Sequence, residues 1–132
     1  MKHKDIKILI VDDEVAFANT LAQRLQIRGI KVGIAYDGEQ ALSKLKKEEL
    51  DVVVLDLKMP GMDGMEVLQE IKRVYPNIQV IMLTGHGTDK DEEQAKKLGG
   101  FDFLNKPVDI DTLEQKIKAA FKEKIERNIA AQ

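Results

Sequence analysis

The chain has 132 residues, enough for one domain with a single core, and 43% hydrophobic against 33% charged residues is a globular balance. Lys+Arg 21 against Asp+Glu 23 leaves a net charge of -2, no footprint for nucleic acid, so this segment is not expected to bind DNA or RNA directly. Cysteine is absent, which excludes a disulfide framework, thiol catalysis and cysteine–zinc sites.

IKILIV (6–11) opens a series of short, β-branched apolar runs and predicts a strand. Basic residues precede it, but it ends at Asp12-Asp13-Glu14, too short for a secretory signal. No segment approaches the ~18 consecutive apolar residues of a membrane span. A soluble cytoplasmic protein without membrane partners is expected. Ala18, Leu21, Ala22 and Leu25 mark one face of a helix, with Gly29 where a C-terminal cap belongs. KVGIAY (31–36) is the second strand, and Asp37-Gly38 leads into a helix striped by Ala41, Leu42 and Leu45. DVVVLD (51–56) is the third. Pro60, Gly61 and Asp63-Gly64 then read as turn chemistry and a helix start. Val67, Leu68, Ile71, Val74 and Tyr75 stripe that helix until Pro76 closes it. After QVIML (79–83), the segment DKDEEQAKKL (89–98) offers only Ala95 and Leu98 as apolar contacts, so its helix should be loosely held. FDFLN (101–105) is a weaker fifth strand. Ile110, Leu113, Ile117, Phe121 and Ile125 stripe the last helix, with Asp109 or Asp111 as N-cap. The tail ERNIAAQ extends it, and 127–132 is expected to fray or to begin a linker; 1–132 reads as one domain.

Strand and helix alternate five times, which argues an α/β, doubly wound parallel sheet with helices on both faces. Ligands of such sheets sit beyond the carboxyl ends of the strands, where the strand order reverses. For a five-stranded sheet of order 2-1-3-4-5 that point lies between the first and third strands. Asp12-Asp13 end the first and Asp56 ends the third, so three carboxylates meet in one crevice. Like charges so close repel unless a cation lies between them. With no His or Cys beside them the cation should be hard, and Mg²⁺, or Mn²⁺ in its place, suits better than Ca²⁺, whose acidic EF-hand loop is missing. Thr84-Gly85 ends the fourth strand, and Asn105-Lys106-Pro107 brings a fixed cation to the same end. The set suits an acyl phosphate: Asp56 attacks a phosphoryl group whose oxygens are held by the metal, Thr84 and Lys106.

Each residue taken singly has a plainer reading. Asp12 and Asp13 can cap a helix, Asp56 can accept backbone hydrogen bonds, and Thr84 can serve a turn. Lys106 can be a solvated lysine and Phe103 a core aromatic. His86 reads as a solvated loop residue, since Gly85-His86-Gly87 lacks the Gly-Lys-Ser/Thr of a phosphate loop. His3 is assigned nothing.

ILIVDDE (8–14), VVVLDLKMPGMDG (52–64), MLTGHG (82–87) and DFLNKP (102–107), in this order, make the chain similar over essentially its whole length to the receiver domain of bacterial two-component response regulators. The resemblance implies a flavodoxin-like (βα)5 fold. It makes Asp56 the acceptor of a phosphoryl group from a sensor histidine kinase. It has Asp13, Asp56 and the backbone carbonyl of Lys58 bind Mg²⁺, with Asp12 acting through water. Thr84 and Lys106 become the hydroxyl and lysine that follow the phosphoryl group. Phe103 becomes the switch aromatic, where the family often has Tyr, and Lys106–Pro107 a cis peptide. Lys58 and His86 flank the acceptor, where the family tunes loss of the phosphoryl group. Such a module turns over no separate metabolite. It controls an output domain or partner protein through the face made by the last strand and last two helices, in some cases through a phosphorylation-linked homodimer. TGHG and DFLNKP look similar to receivers of enhancer-binding transcription activators, which leaves both a free-standing regulator and the receiver of a longer protein open. A Mg²⁺ phosphatase of the haloacid dehalogenase type fits less well, because Lys58 stands where its general-acid Asp belongs and the chain has no room for a cap. A flavodoxin-like cofactor carrier would meet an acidic crevice that repels flavin phosphate.

Overall fold

A computed structural model describes residues 6–131, so His3 lies outside the described residues. β1 (Lys7–Val11), β2 (Lys31–Ala35), β3 (Val52–Leu55), β4 (Gln79–Thr84) and β5 (Asp102–Asn105) form one sheet in the order β2-β1-β3-β4-β5. Every pairing is parallel. The helices α1 (Val15–Ile27), α2 (Gly38–Lys47), α3 (Gly64–Val74), α4 (Asp89–Lys97) and α5 (Ile110–Ala130) follow the strands one by one.

The unbroken apolar strands serve two cores at once, because successive side chains point to opposite faces. Leu9, Val11, Val53, Leu55, Val80, Met82 and Phe103 meet α2, α3 and α4, through Ala41, Leu45, Val67, Leu68, Ile71 and Ala95. Ile8, Ile10, Val52, Val54, Ile81 and Leu83 meet α1 and α5, through Ala18, Leu21, Leu25, Leu113, Ile117 and Phe121. β3 and β4 are buried along their whole length. β2 departs from the expectation of strands covered on both faces: only Ala35 is buried and Lys31 is exposed. It is an edge strand, with β1 as its one neighbour in the sheet.

The caps decide where the helices begin. Asp109, rather than Asp111, caps α5 by accepting from the Thr112 N–H, and Asp111 instead pairs with Arg28. α4 buries only Ala95, as its composition predicts, and starts from a Thr88–Asp91 capping box. Asp63 and Glu66 form a second box at α3. Asp63→Ala is therefore expected to cost about 1 kcal/mol, read as a lowered urea midpoint with an unchanged slope. No loss would show that the α3 start is held by packing alone. α1 is different. Its N-cap, Glu14, makes no side-chain cap bond, so the acidic run 12–14 is left for another task.

Candidate phosphoryl and metal site

Parallel pairing carries the ends of β1, β3 and β4 to one edge of the sheet. Val11 lies opposite Leu55, and Leu55 opposite Met82, so the residues just beyond them converge. The Asp56 N–H donates to the Val11 carbonyl at 2.9 Å and the Asp12 N–H to the Ala35 carbonyl at 3.1 Å. These bonds clamp both carboxylate-bearing residues to the sheet. Lys106 is tied to the same edge by its N–H, which donates to the Thr84 carbonyl at 2.8 Å.

Carboxylate oxygens of Asp12, Asp13 and Asp56 all lie within 4.8 Å of one another. Asp12 and Asp56 are buried, at 2% and 4% exposure, while Asp13 reaches solvent. Three carboxylates without His or Cys form a hard-oxygen donor set, and a small divalent cation that keeps part of its water fits it. Lys58 follows directly in the loop after β3, its side chain exposed. The Lys106–Pro107 peptide is cis.

Two oxygens of the buried pair are already committed. Asp12 Oδ1 accepts from the Glu14 N–H at 2.9 Å, and Asp56 Oδ1 accepts from the Leu57 N–H at 2.9 Å. Burial, and then the Asp12 charge, push the Asp56 carboxyl above its ordinary range; Lys106, the Thr84 hydroxyl and the Leu57 amide pull the other way without cancelling this. Thr84 is fully buried, and its Oγ1 accepts from the His86 N–H at 3.2 Å. His86 itself is exposed.

A raised folded-state value means that folding favours protonated Asp56. Its contribution is fully present below the unfolded value and is lost as pH rises through the folded one. Asp56→Asn should thus be more stable than wild type at pH 7 in EDTA. The gap should shrink toward pH 4. Melting curves at both pH values check this, and a variant less stable at pH 7 would contradict it.

Lys106 does not pair with Asp56. Its Nζ lies 2.8 Å from Asp12 Oδ2 and 2.8 Å from Glu14 Oε1, and sits 4.2 Å from the centroid of the Phe17 ring. Burial opposes its charge, but the Asp12 and Glu14 contacts outweigh that and raise its value; Asp56 acts on it only through space. Sequence reasoning did not single out Glu14 or Phe17. The signal was the third acid of Asp12-Asp13-Glu14, but 92 residues separate Glu14 from Lys106.

Phe103 is 7% exposed and part of the core on the α3–α4 side. A Cβ on Gly87 would come 2.5 Å from the Phe103 ring and 2.9 Å from Thr84 Cγ2. The glycine thus marks the place where ring and threonine meet.

A family model described as response regulator receiver domain matches residues 8–118. The transcriptional regulatory protein GlrR of Escherichia coli (strain K12) is 42% identical over 123 residues, covering 93% of this chain and 28% of that protein. The receiver domain protein (CheY-like) of Methanospirillum hungatei JF-1 superposes with a TM-score of 0.88 at 30% identity, over 92% of this chain and 98% of that one. NtrX from Brucella abortus superposes with a TM-score of 0.86 at 32% identity, over 95% of this chain but 29% of its own. The chain thus spans less than a third of the transcription regulator it matches. Fold, strand order and a match to the family model over most of the length agree, and the chain belongs to the response regulator receiver domain family of two-component systems.

Proposed function

We propose that Asp56 accepts a phosphoryl group from a sensor histidine kinase and that its phosphorylation controls an output domain or partner protein. The observation that carries this reading is the meeting of Asp12, Asp13 and Asp56 with Thr84 and Lys106 at one edge of the sheet. An Asp56 carboxylate oxygen attacks phosphorus, and the bond from phosphorus to the donor's leaving atom breaks, with its electrons leaving on the donor. No proton need move on the Asp56 side, because the attacking group is an anion. Asp13, Asp56 and the Lys58 carbonyl would hold Mg²⁺, with Asp12 acting through water. The ion supplies charge neutralisation for the phosphoryl oxygens.

The chain's own residues do the rest. The hydrogen bond from Leu57 orients one oxygen of Asp56. Thr84 offers a buried hydroxyl and Lys106 a cation on either side of the transferred group, which stabilises the charge spread over its oxygens. Lys58 and His86, both exposed, would govern how fast water removes the group. Thr84 moving toward the phosphoryl group would draw on the space that Gly87 leaves beside Phe103. The thinly anchored α4 would then reshape with β5 and α5. Phe103 lacks the hydroxyl of a tyrosine, so this output works through the ring alone.

Amide NMR spectra with Mg²⁺ and beryllofluoride as phosphoryl mimic test the output step. Shifts should concentrate on α4, β5 and α5 as well as the site. Changes confined to residues lining the site would overturn it. Sustained Mg²⁺-dependent release of phosphate from a simple phosphomonoester would favour the phosphatase reading instead.

A further inference from the structure

The β1–α1 turn does more than deliver two aspartates. It builds a seat for the Lys106 ammonium from three directions: Asp12 Oδ2 at 2.8 Å, Glu14 Oε1 at 2.8 Å and the Phe17 ring at 4.2 Å. Among the described residues the Glu14 carboxylate has its hydrogen bond with Lys106. It makes no cap bond for α1, and it is no part of the three-carboxylate cluster. Its side chain is 64% exposed, whereas that of Lys106 is 13% exposed.

We infer that Glu14 is a positioning residue, one that holds Lys106 away from Asp56 in the unphosphorylated protein and so sets how readily the lysine passes to an incoming phosphoryl group. The inference rests on the phosphorylation of Asp56 proposed above. The lysine can serve a phosphoryl oxygen only by leaving at least one present partner. A cation beside Asp12 takes up much of that carboxylate's field. Glu14 then remains the partner that competes with the phosphoryl group. A lowered Glu14 value, caused first by its hydrogen bond to Lys106, agrees with a formed pair. Because Glu14 is largely exposed, its hold is that of a surface ion pair and its kinetic effect is modest.

Two substitutions separate a clamp from mere charge near the site. Glu14→Gln removes the charge but keeps the reach. Glu14→Asp keeps the charge and withdraws it from Lys106 by one methylene. With Mg²⁺ and acetyl phosphate, phosphorus gains a bond from Asp56 and acetate departs with the electrons of the broken P–O bond. Both variants should acquire the label faster than wild type, by about two- to fivefold, the span of an exposed ion pair. Acceleration in Glu14→Gln alone would mean general repulsion of an anionic donor and would overturn the clamp. Unchanged or slower labelling in both would overturn it as well.

A second readout needs no phosphorylation. The Lys106 ammonium resonance of Mg²⁺-free protein should exchange faster in both variants than in wild type. If its exchange is unchanged in both, Glu14 does not hold the lysine. If wild type never takes the label on Asp56, the phosphoacceptor reading fails, and the resonance still judges the clamp separately.

Discussion

Gly64→Ala is expected to destabilise the domain by about 3 kcal/mol, although the substitution adds one methyl group to a helix start. The first residue of α3 lies against the Asp56–Leu57 peptide. The Gly64 N–H donates to the Leu57 carbonyl at 2.8 Å. A Cβ here would overlap the Asp56 carbonyl oxygen and stand 2.7 Å from Leu57 Cα. Neither atom belongs to a side chain that can turn aside. Both lie on backbone held to β1 by the Asp56 hydrogen bond to Val11. The clash therefore moves either α3 or the end of β3, and the second route displaces the Asp56 carboxylate. Gly61 provides the comparison. It has a φ of 75° but nothing within 4 Å of a built Cβ, so Gly61→Ala should cost about 1–2 kcal/mol, from left-handed backbone alone. Urea midpoints measure both. Equal losses would mean that contact with the Asp56–Leu57 peptide is not what requires Gly64.

The second large effect concerns the cation that the site already contains. Lys106→Met should cost about 3 kcal/mol in Mg²⁺-free protein, as expected when one partner of a buried ion pair is removed. Asp12 has 2% exposure, and without Lys106 its carboxylate keeps the hydrogen bond from the Glu14 N–H. Asp13 and Asp56 stand within the same 4.8 Å cluster, so the variant folds around three carboxylates with no counter-charge among them. Saturating Mg²⁺ should return most of the loss, because a ligand of the native state stabilises by about 2.7 kcal/mol at a hundredfold excess over Kd. The Mg²⁺-dependent rise in Tm should exceed that of wild type. An equal rise would show that Lys106 and the divalent ion do not share the task of neutralising Asp12.

Much of this arrangement was legible because charge interrupts hydrophobicity at strand ends. Asp12, Asp56, Thr84 and Lys106 each follow an apolar run, and parallel pairing leaves such ends little choice but to converge. α4 was equally readable, since a segment with Ala95 and Leu98 as its apolar residues has little to bury. Three features were not. β2 and β3 both read as apolar strands, yet one is a half-exposed edge and the other fully buried; strand order puts β2 at the edge. Glu14 and Lys106 meet although they follow β1 and β5, which have β3 and β4 between them in the sheet. The constraint on Gly64 comes from a backbone contact with Asp56 and Leu57 that no periodicity encodes. Periodic burial leaves a trace in sequence, whereas a single long-range contact does not.

Phosphoryl transfer to one residue is the centre of the account, and intact mass spectrometry addresses it directly. Wild type and Asp56→Asn are incubated with Mg²⁺ and acetyl phosphate under the same conditions. Wild type should gain the mass of one phosphoryl group, and Asp56→Asn should gain none while remaining folded. A phosphoryl adduct that persists in Asp56→Asn would place the acceptor elsewhere and contradict the assignment.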